Sequence, residues 1–149
     1  MVVRPSWEQY FMDIAELVSS RSTCVRRQIG AVLIRDKQII STGYNGAPKG
    51  IGHCGDQGCL RTELGIPSGE RHEICRGVHA EQNAIIQAAL HGINTEGTSL
   101  FCTHQPCTLC AKLIINAGVR KVLFQGDYPD TLAKELLLEA NISLIRWDG

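Results

Sequence analysis

Residues 99–125, SLFCTHQPCTLCAKLIINAGVRKVLFQ, decide how the rest of the chain reads. The apolar run 99–103 has strand character. Pro106 pre-sets φ for the first turn of a helix that runs to Ala117, and Gly118 supplies the left-handed residue that ends it. A second apolar run, 121–125, follows at once. Strand, helix and strand in that order predict parallel strands joined by a right-handed crossover, with the helix covering one face of a sheet.

The same reading extends in both directions. Downstream, Tyr128-Pro129-Asp130 opens a helix with Leu132, Leu136, Leu137 and Ala140 on one face, and 142–146 reads as a last strand. Upstream, 78–90 is rich in Ala and Ile and stops at His91-Gly92, a helix with a glycine cap. Earlier still, 30–34 and 38–44 are β-type runs flanking Arg35-Asp36-Lys37, a hairpin. Trp7, Phe11, Ile14, Ala15 and Val18 recur at helical spacing behind Ser6, which makes a capping box with Gln9. The order α-β-β-α-β-α-β-α-β predicts one α/β domain over 1–149. Its five-stranded mixed sheet lies between helices in three α-β-α layers.

Composition agrees and removes several functions. With 149 residues, 44% hydrophobic and 20% charged, the chain is sized for one ordinary core and is not a disordered segment. Fifteen Lys and Arg balance fifteen Asp and Glu, so there is no bulk positive field to wrap DNA or RNA. No run nears the roughly 18 apolar residues of a membrane helix, and MVVRPSWEQYF has no signal-peptide core, which points to a cytoplasmic protein. In a reducing compartment seven Cys read as metal ligands or small buried residues before disulfides. Cys102, inside the 99–103 run, is of the buried kind.

Residues 45–77 fit neither period across 33 positions and contain eight Gly. So long a loop is uncommon in a compact domain unless something holds it. This one carries His53, Cys54, Cys59, His72 and Cys75.

Pro106-Cys107-Thr108-Leu109-Cys110 places a C-x-x-C at a helix start, where free backbone N–H groups and the helix dipole favour thiolate. Alone, the pair suits a thioredoxin-like redox site as well as a metal. His79-Ala80-Glu81 falls at another helix start, with His79 28 positions before Cys107. His79, Cys107 and Cys110 offer N, S, S ligation with an open fourth position, the arrangement of a catalytic zinc, and Glu81 projects differently, as a base beside the metal. Zinc so held lowers the pKa of a bound water towards about 7. Two thiolates and an imidazole make Zn2+ the default ion.

H-x-E followed by P-C-x-x-C is a pattern shared with zinc nucleobase deaminases, and the likeness runs beyond it. It includes Arg21-Ser22-Thr23-Cys24, Gly30-Ala31-Val32, Ser41-Thr42-Gly43-Tyr44-Asn45-Gly46, His79-Ala80-Glu81-Gln82-Asn83-Ala84-Ile85, Thr103-His104-Gln105-Pro106-Cys107-Thr108-Leu109-Cys110 and Ala117-Gly118-Val119. The chain therefore resembles the cytidine deaminase superfamily, and within it the deoxycytidylate (dCMP) deaminase branch, to which the deaminase-like proteins of bacterial competence operons belong.

The resemblance implies a cytidine deaminase-like sandwich and hydrolytic deamination of dCMP to dUMP with release of ammonia. Glu81 would take a proton from the zinc water, deliver it to pyrimidine N3 and later protonate the departing amine. Asn45 matches the family asparagine that contacts the sugar, although Asn also suits a left-handed turn. The backbone at Ala80 would contact the pyrimidine. For the phosphate, Arg26 comes first among Arg26, Arg27, Lys49, Arg61, Arg71 and Arg76. His104 would line the base pocket and Tyr128 stack on the base, unless both are packing residues. Some members of the branch carry a second, structural zinc. Here the expected set is Cys24, Cys54, His72 and Cys75, with Cys59 the alternative to His72. The branch also implies a homo-hexamer activated by dCTP and inhibited by dTTP at Tyr44, Asn45 and Gly46, with Mg2+ accompanying the nucleotide effector.

Two other readings share these residues. One keeps the zinc chemistry with another cytosine nucleotide, a nucleoside or a nucleobase as substrate; neutral charge argues against a tRNA or single-stranded DNA substrate. The other is a non-catalytic zinc-stabilised binding module, which would have a fourth ligand and no use for Glu81.

Overall fold

The computed structural model of the chain describes residues 2–127 and 130–149. Helix α1 (Trp7–Ser19) leads into a hairpin of β1 (Gly30–Arg35) and β2 (Gln38–Tyr44). The segment that follows is not structureless. It holds two single-turn helices, α2 (Cys54–Gln57) and α3 (Leu60–Glu63), and a 3-10 turn at His72–Ile74. Such short pieces carry no readable period, which is why they do not show in the sequence. Then come α4 (Ala80–Leu90), β3 (Ser99–His104), α5 (Thr108–Asn116), β4 (Lys121–Gly126), α6 (Thr131–Glu139) and β5 (Ser143–Arg146).

The sheet order is β2-β1-β3-β4-β5. β1 is antiparallel to both β2 and β3, whereas β3, β4 and β5 run parallel, so the mixed sheet is the one expected. Side chains alternate between faces along each strand. Ala31, Leu33, Leu100, Cys102 and Val122 pack with Ala84, Ile114 and Leu137 of α4, α5 and α6. Val32, Ile34, Phe101 and Leu123 pack with Phe11, Met12 and Ala15 of α1. Both faces of the central strands are covered, hence their unbroken apolar runs. The hairpin turns through Asp36 and Lys37 at φ 51° and 60°, the paired positive values of a type I′ turn.

Details of the helix starts differ from expectation. Ser6 does cap α1, accepting from the Gln9 amide at 3.1 Å. The Gln9 side chain does not complete the box. Its Nε2 donates to Asp13 at 2.7 Å and its Oε1 accepts from Trp147 Nε1 at 3.1 Å, tying α1 to the chain's C-terminal segment. α4 begins at Ala80 with His79 as an extended N-cap, and α5 at Thr108 with Cys107 as its extended N-cap, so Pro106 stands one residue before the cap. Gly43 of β2 admits α4 against the sheet backbone: a Cβ there would collide with the Ala80 carbonyl and the Ala84 amide.

Candidate active site

The starts of α4 and α5 meet, and both helix caps are metal-ligand candidates. His79 Nδ1 lies 3.2 Å from Cys110 Sγ and 3.4 Å from Cys107 Sγ. The three donor atoms fall within 4.8 Å of one another, and among the described residues no other group of three or more His, Cys, Asp or Glu does so. Glu81, one residue into α4, is buried beside them.

Two hydrogen-bond arrangements hold these starts in place. His79 N–H donates to Gln82 Oε1 at 2.8 Å. Asp130, the N-cap of α6, accepts from the Thr108 amide and hydroxyl at 2.7 Å each and from the Ala133 amide at 2.9 Å. One carboxylate thus anchors two helices, including the one that carries both thiols. Burial raises the pKa of Asp130, but the donors outweigh burial and hold its carboxyl below the usual range.

The electrostatics match a thiophilic cation site. Cys107 is brought down to about 4, first by the hydrogen bond from Cys110 and then, against burial, by His79. Cys110, which keeps the shared proton, is pushed up by Cys107 and by burial. Burial disfavours the His79 cation, yet the Cys107 sulfur prevails and the net direction is up. Burial also raises Glu81, whose Oε1 has no partner in the protein. Both sulfurs are buried and converge on an imidazole, unlike a redox pair, which keeps an accessible attacking thiolate. An N, S, S set beside a carboxyl group with one unpartnered oxygen fits zinc with an open fourth position.

Above the trio opens a cleft whose lining includes Arg26, Asn45, Arg61, His72, Glu81 and Gln105. Asn45 is not in a left-handed turn. Its Oδ1 accepts from Ile29 N–H at 2.9 Å and Ser22 Oγ at 2.6 Å, and its Nδ2 donates to the Arg27 carbonyl at 2.7 Å. It pins the 22–29 loop to the end of β2, and one amide hydrogen remains for a ligand. Arg26 reaches across to the insert, donating to Thr62 Oγ1 at 3.1 Å and the Ile66 carbonyl at 2.8 Å. Ala80 is fully buried in the core, and His104 lies at Gly126 beside Thr103, outside the cleft lining. Tyr128 lies outside the described residues. Tyr44 and Gly46 line a second cavity, between β2 and α4, with Lys49, His53 and Asn83, whereas Asn45 faces the first.

The set Cys24, Cys54, His72 and Cys75 is not gathered. His72 packs edge-on to His79 with ring centroids 5.0 Å apart, and burial followed by the His79 charge lowers its pKa. Cys24, Cys54, Cys59 and Cys75 all line the cleft, and the Cys54 thiol is raised first by burial and then by the other three, but no three of their sulfurs lie within 4.8 Å of one another. Nothing in the spacing tells which way His72 turns. Sequence reading also missed Gln105, 3% exposed, whose Nε2 donates to the Asp130 carbonyl at 3.2 Å and whose Oε1 has no partner. Its place directly before Pro106-Cys107 was the only signal.

Fold and site together define a class, an α/β protein with a His, Cys, Cys metal-site candidate at the starts of two helices. Residues 5–125 match the cytidine and deoxycytidylate deaminase zinc-binding region, and the chain belongs to that family. ComE operon protein 2 of Bacillus subtilis is 41% identical over 142 residues, 95% of this chain and 71% of that protein. Deoxycytidylate deaminase of Schizosaccharomyces pombe is 36% identical over 142 residues, and the chain spans 44% of its length. The dCMP deaminase from cyanophage S-TIM5, solved in complex with dCMP and dUMP, matches with a TM-score of 0.81 at 31% identity, covering 98% of this chain and 100% of that one.

Proposed function

We propose that this protein deaminates dCMP hydrolytically to dUMP, releasing ammonia. The observation that carries the reading is Glu81, buried beside the imidazole and two thiols with a carboxylate oxygen that no protein group engages. The whole-length phage relative and the yeast relative, both named as dCMP deaminases, support the choice of substrate.

His79, Cys107 and Cys110 would hold zinc, which when bound supplies an acidified water as nucleophile. Glu81, with its pKa raised by burial, is suited to take a proton from the attacking water and pass it to N3 of the pyrimidine, and then to take the second proton of that water from the new C4 hydroxyl and give it to the leaving amine. Asn45 would offer its free amide hydrogen to the sugar, the backbone at Ala80 would meet the base and Arg26 would serve the phosphate, whereas His104, outside the cleft lining, is not assigned to the base pocket. The assay is loss of the cytosine ultraviolet band on dCMP, cytidine and dCTP, with Glu81→Gln as control. Turnover confined to another member of the panel would reject the dCMP assignment.

A second zinc holds the insert, on Cys24, Cys54, Cys59 and Cys75. The influence of the Cys24, Cys75 and Cys59 thiols on Cys54, together with the turn of His72 towards His79, supports that set over one with His72. Two zinc ions per chain are expected by metal analysis, and one in Cys54→Ser. Regulation by dCTP and dTTP with Mg2+ belongs to the Tyr44 and Gly46 cavity, in a cytoplasmic homo-hexamer. Among the described residues no helix is long and apolar enough to cross a membrane.

A further inference from the structure

Arg61 stands in α3, within the insert, and only 7% of it is exposed. A guanidinium withdrawn from water requires partners for its N–H groups and a compensating charge. Among the described residues the ion pairs are made by Arg71, Arg120 and Arg146, and no carboxylate meets Arg61. Its Nη1 donates to the Glu70 carbonyl at 3.0 Å, which fixes the plane of the group, while its Nε is buried with no partner. Arg26 repeats the arrangement. Nε and Nη2 are bound to the insert, and Nη1 is buried and unpartnered. Both arginines line the cleft that holds His79 and Glu81. Of its described lining residues Glu81 alone is acidic, against Arg26, Arg27 and Arg61.

We propose that Arg61 binds the 5′-phosphate of the nucleotide, with Arg61 Nε and Arg26 Nη1 donating to its oxygens, so that the insert is the element that selects a monophosphate over the free nucleoside. This rests on the dCMP reading above and adds the residue that sets specificity. A phosphate dianion satisfies two orphaned N–H groups and supplies the missing counter-charge, and Arg suits that role because its donors form a rigid planar fork. A nucleoside leaves both donors unsatisfied, the situation in which a polar site discriminates most strongly. The insert then serves the ligand twice: His72 lies against the metal-ligand histidine, and Arg61 holds the phosphate charge.

The zinc-loaded protein is assayed on dCMP and on deoxycytidine beside Arg61→Met and Arg61→Lys, with zinc content and melting temperature as folding controls. Arg61→Met is expected to lose roughly ten- to a hundredfold in kcat/KM for dCMP, the size of a hydrogen bond to a charged group, and to keep its deoxycytidine rate. Arg61→Lys should recover part of the loss. An equal loss on both substrates, or none on either, overturns the phosphate assignment and leaves the deaminase reading standing. A wild type active on neither substrate defeats that reading, and this assignment with it. Should Arg61→Met fail to fold, Arg61→Lys decides: a rise in KM confined to dCMP supports the assignment, and a change shared with deoxycytidine overturns it.

Discussion

Glu81 and Asp130 are both carboxylates at helix starts, and their surroundings give them opposite characters. Glu81 is buried without a protein donor on Oε1 and is raised, which suits it to carry a proton. Asp130 is surrounded by donors from Thr108 and Ala133 and is lowered, which suits it to stay charged and hold two helices. Glu81→Gln should therefore lower dCMP turnover by about 10²- to 10⁴-fold while zinc content stays at the wild-type value; a full rate in that variant would refute its role. Asp130→Ala should cost about 1–2 kcal/mol by denaturant unfolding at neutral pH. The folded-state pKa of Asp130 lies below its unfolded one, so its stabilisation is present above about pH 4 and fades as pH falls through the lowered value. The gap between wild type and Asp130→Ala should accordingly narrow in acid; a gap that widens there would contradict the assignment.

At the scale of elements, the distance between α4 and the sheet decides where His79 sits. Gly43 makes the close approach possible, since a Cβ would meet the α4 backbone at Ala80 and Ala84 rather than a flexible side chain. Gly43→Ala should destabilise by about 1–3 kcal/mol, as overpacking does, and should weaken zinc binding because His79 caps that helix. Unchanged zinc affinity in a destabilised variant would uncouple packing from the site. The long elements were legible because each keeps its period for two turns or more, and because Gly92 and Gly118 end α4 and α5 at φ 68° and 82°. α2, α3 and the 3-10 turn were not, since a helix of four residues or fewer completes little more than one turn and cannot show a 3.6-residue period.

Over the whole molecule, α1 covers one face of the sheet and α4, α5 and α6 the other. Ile86 and Leu90 of α4 and Leu109 and Leu113 of α5 remain exposed, at 49%, 63%, 44% and 43%. Scattered apolar residues need no explanation, but four on neighbouring helices are a candidate subunit contact. Sedimentation should give a mass above that of the monomer, reduced by Leu90→Asp or Leu113→Lys. A monomer at every concentration would remove the basis for regulation between subunits.

What the sequence determined by itself is local or periodic in origin: strand and helix order, the mixed sheet, the two helix starts, and His79, Glu81, Cys107 and Cys110 as their chemistry. Caps, turns and alternation act within a few residues, so they are written in neighbouring letters. Tertiary structure alone decided that His72 turns to His79 and leaves the cysteines, that Asp130 anchors α5 as well as α6, and that Arg61 is buried in the cleft without a counter-ion. Each of these depends on where a side chain points after distant segments have packed, and no spacing along the chain encodes that direction.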